Sequence, residues 1–289
     1  MHVFVTGATG WVGSAIVTDL LAAGHGVTGL ARSEEKAAAL AASGARVLRA
    51  TLDDHQALHR AAGAADAVIH TAFDHDFSRF AENAAQDRRV IEVLGSALEG
   101  TDRPILVTSG LSGLPRGATE VDIPAPVSPR RSEMAARALV ERGVRAATVR
   151  LAPSVHGVGE THGFVPLLIR KARETGISAY LGDGQNRWSG VHRSDAARLY
   201  RLALEQGMTE PVYHAVADEA VPFQVIATAI GHRLGLPVAA REREHFGWFA
   251  GMAGAEMSAS GARTRALLGW SPTGPDLLTD LDQPGYVAG

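Results

Sequence analysis

Short runs of apolar and β-branched residues alternate, along the first half of the chain, with alanine-rich stretches whose apolar positions recur at helical spacing. Residues 1–6 (MHVFVT) read as a buried strand, because so continuous an apolar run leaves no polar face for solvent. Residues 12–23 follow as a helix stopped by Gly24, residues 26–30 as a second strand, and residues 33–42 as a helix with an acidic first turn. Residues 45–49, 67–70, 105–108 and 144–151 supply further strands, and helices between them start near Asp53, Asp54 and Asp76, all suitable caps. Strands joined through helices of this length pair in parallel. The pattern predicts an α/β fold, a mostly parallel sheet covered on both faces.

After Ser154 the rhythm changes. Gly, His and Pro gather in residues 155–166, a glycine-rich stretch spans 181–190, and helices are predicted over 194–205, 223–234 and 242–252. This predicts a smaller, mainly helical substrate lobe made of 156–189 and 217–289. The domain of residues 1–155 takes back segments near 190–216. A ligand is expected in the cleft between them.

Composition narrows the function. Basic and acidic residues number 28 and 31, a net charge of −3, so no basic surface points to nucleic acid or anionic lipid. Cysteine is absent, which removes disulfides, thiolate metal sites and thiol nucleophiles and is compatible with a reducing cytoplasm. No apolar run approaches membrane-spanning length, and the start lacks the basic stretch of a secretory leader. A small-molecule substrate is the expected partner.

The most informative segment is Thr6-Gly7-Ala8-Thr9-Gly10-Trp11-Val12-Gly13, directly after a strand and opening a helix. Glycines there permit a tight turn, close approach of backbone to pyrophosphate, and packing of helix on strand. The unpaired amides of the helix start favour the negative charge. Four segments together resemble the extended short-chain dehydrogenase/reductase family: this turn, Val107-Thr108-Ser109-Gly110, Arg150-Leu151-Ala152-Pro153-Ser154-Val155-His156-Gly157, and Gly190-Val191-His192-Arg193-Ser194-Asp195-Ala196. The resemblance covers nearly the whole chain and implies a Rossmann-type, doubly wound α/β domain that binds NAD(P), with a small C-terminal substrate lobe. It also implies Pro153, Ser154 and Val155 beside the nicotinamide, Thr71 and Ala72 opposite, Leu52 over the adenine, and a homodimer through the helices near 77–98 and 129–141.

An acidic residue closing the second strand would bind the ribose 2′-hydroxyl and repel a 2′-phosphate. By resemblance Ala31 fills that place, followed by Arg32 and Ser33, which suit a phosphate. NADP(H) is therefore the expected cofactor, with NAD(H) the alternative.

The family's Tyr-x-x-x-Lys pair is missing: Pro129 and Glu133 occupy its places, no tyrosine precedes Tyr180, and the only lysines are Lys36 and Lys171. Gly110 likewise stands where relatives often carry a serine, leaving Ser109 and Ser112 as candidates to bind the substrate oxygen or as simple turn formers. His75, between Asp74 and Asp76, is a candidate proton donor with an acidic orienter, or an exposed loop residue beside a helix cap. Arg130 and Arg131 are candidates to stabilise negative charge. His156, Arg187 and Trp188 are candidate substrate contacts, although His156 also reads as a structural histidine. The spacing His55-x-x-x-His59 is better read as a solvated helix face than a metal site, and no metal is expected. The leading expectation is a carbonyl or secondary-alcohol oxidoreductase. A nucleotide-binding sensor without turnover and a nucleotide-sugar epimerase or dehydratase are the alternatives.

Overall fold

A computed structural model describes residues 1–125 and 130–286. The elements run β1 (His2–Thr6), α1 (Trp11–Ala22), β2 (Gly26–Ala31), α2 (Glu34–Ala42), β3 (Arg46–Arg49), α3 (His55–Gly63), β4 (Ala67–His70), α4 (Phe80–Ser96), β5 (Ile105–Gly110), α5 (Ser132–Glu141) and β6 (Ala146–Leu151). Then come β7 (Ser154–His156), α6 (Phe164–Thr175), β8 (Ser178–Leu181), β9 (Arg187–His192), α7 (Arg193–Glu205), β10 (Val212–Ala215), β11 (Asp218–Pro222), α8 (Phe223–Leu234) and β12 (Val238–Arg241). Seven strands form one parallel sheet in the order β10-β6-β5-β4-β1-β2-β3. Chain direction around the sheet reverses between β1 and β4, the crevice where open α/β sheets hold ligands.

Alternation along the pleat divides the core in two. Val3 and Val5 of β1 turn to one face, packed with Ile16 and Leu20 of α1 and Leu199 and Tyr200 of α7. Phe4 turns to the other, among Leu58 of α3, Ile91 and Leu94 of α4 and Leu139 of α5. A third core, with Val165, Trp188, Phe223, Phe249 and Leu277, builds the second lobe around the sheet β11-β9-β7 and the pair β12-β8.

Local chemistry shifts several expected boundaries. The helix expected over 242–252 is split into Arg243–Phe246, a 3-10 turn at Gly247–Phe249, and Ala250–Ala253. Gly247, at φ +57, breaks it. Asp54 does not cap α3 through its side chain: its carboxylate accepts from the amide and hydroxyl of Thr51, and Asp53 accepts from Gln86. Asp76 does cap, at 3.0 Å from the Ser78 amide, but the element it starts is the 3-10 turn Phe77–Arg79. Among the described residues no helix is long and apolar enough to cross a membrane.

Candidate active site

The turn after β1 and the loop after β4 meet at the switch point. Gly7 adopts φ +68, and a Cβ there would lie 2.6 Å from Thr71 Oγ1 and 2.7 Å from the Ala72 amide nitrogen. A Cβ on Gly13 would lie 2.0 Å from the Gly7 carbonyl oxygen. Both positions therefore require glycine. Gly10 is the N-cap of α1 without a side-chain bond, so the opening amides at Trp11, Val12 and Gly13 have no carbonyl one turn back in the helix. Thr71 Oγ1 donates to the Thr6 carbonyl at 2.8 Å, stitching the two loops together. The Trp11 indole donates to the Val155 carbonyl at 2.7 Å and lies under the Arg193 guanidinium, which fixes α1 against β7.

At the end of β2, Ala31 is buried while Arg32 and Ser33 are exposed. Ser33 caps α2 by accepting from the Lys36 amide. Thr9 lies half-buried in the turn, and Leu52 packs half-buried against the core beneath β3.

A buried polar string runs from this turn towards α5. Thr6 Oγ1 meets His70 Nδ1 at 2.7 Å, and His70 Nε2 lies 3.1 Å from Asp87 Oδ1. Ser132 donates to Asp87 Oδ2 at 2.6 Å and in turn accepts from Arg130 Nε at 3.0 Å. Burial pushes the Asp87 carboxyl up, but His70, then Arg130 and Ser132, hold it below the usual carboxylate range. Arg130 also donates to the Thr108 carbonyl of β5 and stacks 4.1 Å from the Phe73 ring centre. Its cation is thus held at the carboxyl edge of β4 and β5. Sequence reasoning missed this string because Asp87 and Ser132 lie on different helices, 45 residues apart.

His75 stands on the same edge, edge-on to Phe73 at 5.4 Å. The residue is exposed in the loop, as the alternative reading has it, and partial desolvation, then the Arg130 charge, hold its imidazole below the ordinary histidine pKa. The expected acidic orienter is not formed. Asp74 accepts from the Asp76 amide, and Asp76 is taken up by the amide and hydroxyl of Ser78.

Other sequence candidates are placed differently. Ser109 is half-buried on β5, and Ser112 is exposed in the turn beyond it. Ala152 and Ser154 are buried around the half-buried Pro153, and no described group bonds the Ser154 hydroxyl. His156 is not a pocket-lining residue: it is fully buried, with Nδ1 2.7 Å from Asp280 Oδ2, joining β7 to the helix Leu277–Leu281. Trp188 is likewise enclosed in the second core, 4.9 Å from the Phe223 ring centre. Pleat alternation on β9 turns it inward, whereas its neighbour Arg187 remains half-buried. Both expectations of substrate contact are therefore corrected. No metal-binding group of His, Asp and Glu occurs among the described residues.

Pro129, in the tyrosine's place, lies outside the described residues. Glu133, in the lysine's place, is buried and accepts from Arg150 Nε and Nη2 at 2.7 and 2.8 Å. Arg150 also donates to the carbonyls of Thr119 and Asp122. A structural ion pair therefore stands at the position that the Tyr-x-x-x-Lys pattern gives to lysine.

The model of the NAD dependent epimerase/dehydratase family matches residues 3–216. The chain belongs to this family. The uncharacterised protein C2A9.02 of Schizosaccharomyces pombe is 45% identical over 295 residues, covering 99% of this chain and 100% of that one. A 2-alkyl-3-oxoalkanoate reductase of Stenotrophomonas maltophilia is 30% identical, covering 71% of this chain and 66% of the relative. Among solved structures, a dTDP-glucose 4,6-dehydratase from Streptomyces venezuelae with NAD bound superposes with TM-score 0.79 at 21% identity, over 99% of this chain and 96% of that one. The family assignment and the fold together make this an extended short-chain dehydrogenase/reductase without the Tyr-x-x-x-Lys pair.

Proposed function

We propose that the protein is an NADP(H)-dependent oxidoreductase that interconverts a small-molecule carbonyl and its secondary alcohol. The observation that carries this reading is Arg130 and His75 gathered at the sheet edge beside a dinucleotide turn. The residues present suit the cofactor. Glycine at 7 and 13 lets the turn fold tightly on itself and on Thr71 and Ala72, the opening amides of α1 have no helical acceptor, and Ser154 presents a buried, unpartnered hydroxyl where the family resemblance puts the nicotinamide. Arg32 is exposed, no acidic side chain precedes it on β2, and it would meet a 2′-phosphate with its planar fork.

When bound, the nicotinamide supplies or accepts hydride. The chain's own residues do the rest. Arg130, fixed by Ser132 and the Thr108 carbonyl, stabilises negative charge on the substrate oxygen. His75 gives that oxygen a proton during reduction and takes it back during oxidation. A sugar epimerase or dehydratase reading lacks the proton-transferring pair such chemistry ordinarily needs. The Glu133–Arg150 pair favours one rival, a nucleotide-binding protein without turnover.

Incubating the protein with NADPH and a panel of aldehydes, ketones and quinones separates the two. NADPH is expected to be consumed with at least one carbonyl class, with the alcohol formed in equal amount. Saturable NADPH binding with no consumption across the panel would establish the rival.

A further inference from the structure

Four of the eight phenylalanines, Phe4, Phe223, Phe246 and Phe249, are buried in the cores. The other four, Phe73, Phe77, Phe80 and Phe164, are half-buried, and all four meet in one patch where the loop after β4 faces the second lobe. Trp248 joins them, 61% exposed and the most exposed of the tryptophans. Its ring lies 4.9 Å from Phe77 and 22° from parallel to it, and Phe77 lies 17° from parallel to Phe80. The second lobe thus reaches across to the loop after β4 through a stack of flat faces. The patch is continuous with the chemistry, since Phe73 carries Arg130 on its face and touches both His75 and Phe80.

Leaving so much aromatic surface half in water forgoes burial energy of about 25 cal/mol per Å². Side chains of this kind gathered around a catalytic edge match a ligand that covers them. With Phe77 and Trp248 only 4.9 Å apart, no third ring enters between them unless Trp248 swings away. Trp248 follows Gly247, whose φ of +57 lies where only glycine turns freely, on a short 3-10 turn rather than a long helix.

We propose that these rings form the entrance and binding wall for a planar, apolar carbonyl compound, and that Trp248 is the gate that admits it. This rests on the oxidoreductase reading and deepens it. The flat body of the substrate lies against Phe77 and Trp248, and its oxygen points along Phe73 to Arg130. Trp248 is a specificity-determining residue and takes no part in proton or hydride transfer.

The test uses the full chain saturated with NADP⁺, with the fused-ring aryl ketone 1-tetralone as probe and acetone and UDP-glucose as comparisons. Acrylamide quenching of tryptophan emission reads Trp248 first, because it is 61% exposed, whereas Trp188 and Trp270 are fully buried and Trp11 is half-buried beneath the Arg193 guanidinium. Tetralone is expected to protect the most quenchable component, and Trp248→Ala is expected to remove most of it, leaving the smaller contribution of half-buried Trp11. In NADPH-driven reduction, Trp248→Ala should raise KM for tetralone about fivefold to tenfold, with kcat carrying little of the effect, the loss expected of one aromatic stack. Trp248→Phe, which keeps a ring, should recover most of it.

Protection by UDP-glucose but not tetralone would overturn the proposal, as would no protection at all while NADP⁺ binds saturably. Protection that follows protein concentration without ligand would assign the patch to a second copy of the chain and overturn it too. Absence of NADP⁺ binding would remove the oxidoreductase reading itself, and this proposal with it.

Discussion

Replacing Glu133 by lysine, the residue the family pattern puts there, is expected to destabilise the protein strongly rather than improve it. The Glu133 carboxylate is 3% exposed and takes two hydrogen bonds from Arg150, which has no solvent exposure, and a further pair from Arg137. Breaking a buried, hydrogen-bonded ion pair costs about 3–5 kcal/mol, because the remaining charge stays desolvated without its partner. Glu133→Lys goes further by placing a second cation against Arg150. At roughly 2–4 °C per kcal/mol for chains approaching this size, Tm should fall by about 10 °C or more. Glu133→Gln keeps one acceptor oxygen for the guanidinium and adds no cation, so it should cost less than Glu133→Lys. Thermal unfolding followed by circular dichroism reads both variants. A Glu133→Lys protein that melts near the parent temperature would show that Arg150 does not need this carboxylate.

His75→Ala is expected to lower turnover about 10²- to 10⁴-fold, the usual worth of a positioned proton donor, while leaving NADPH affinity unchanged. The pH profile gives a second reading. Surrounding protein and Arg130 hold the His75 pKa below 6.5, so the ring is neutral at pH 7. Reduction, which needs the protonated ring, should therefore accelerate as pH falls through and below 6.5. Oxidation needs the neutral ring, so it should hold above that pH and decline beneath it. His75→Ala should flatten both limbs. A variant that keeps parental turnover and the same pH dependence would take His75 out of the reaction.

Legibility in the sequence followed the range of the interactions. The first strand, the glycine turn and α1 are set by thirty or so neighbouring residues and were readable without the fold. So was the loss of the Tyr-x-x-x-Lys pair. The string through Thr6, His70, Asp87, Ser132 and Arg130 was not, because it joins β1, β4, α4 and the start of α5. Sequence order gave no sign that Asp87 faces inward, since an acidic residue on a helix is ordinarily solvated. Trp188 and His156 were misplaced for a different reason. Motif resemblance put them in the correct segments, but strand alternation and the distant carboxylate of Asp280 decide which way they face. The aromatic patch of Phe73, Phe77 and Phe80 was not readable as a unit, because Trp248, which stacks on Phe77, comes from far along the chain. The missing signal there was tertiary.

All of these readings require the exposed amides at the start of α1 to seat a dinucleotide across β1 and β4. Calorimetric titration of the purified chain with NADPH and with NADH tests that directly. Saturable one-to-one binding is expected, tighter for NADPH, with Arg32→Ala narrowing the gap. Heat no greater than that of dilution with either nucleotide would contradict the account and leave only the fold.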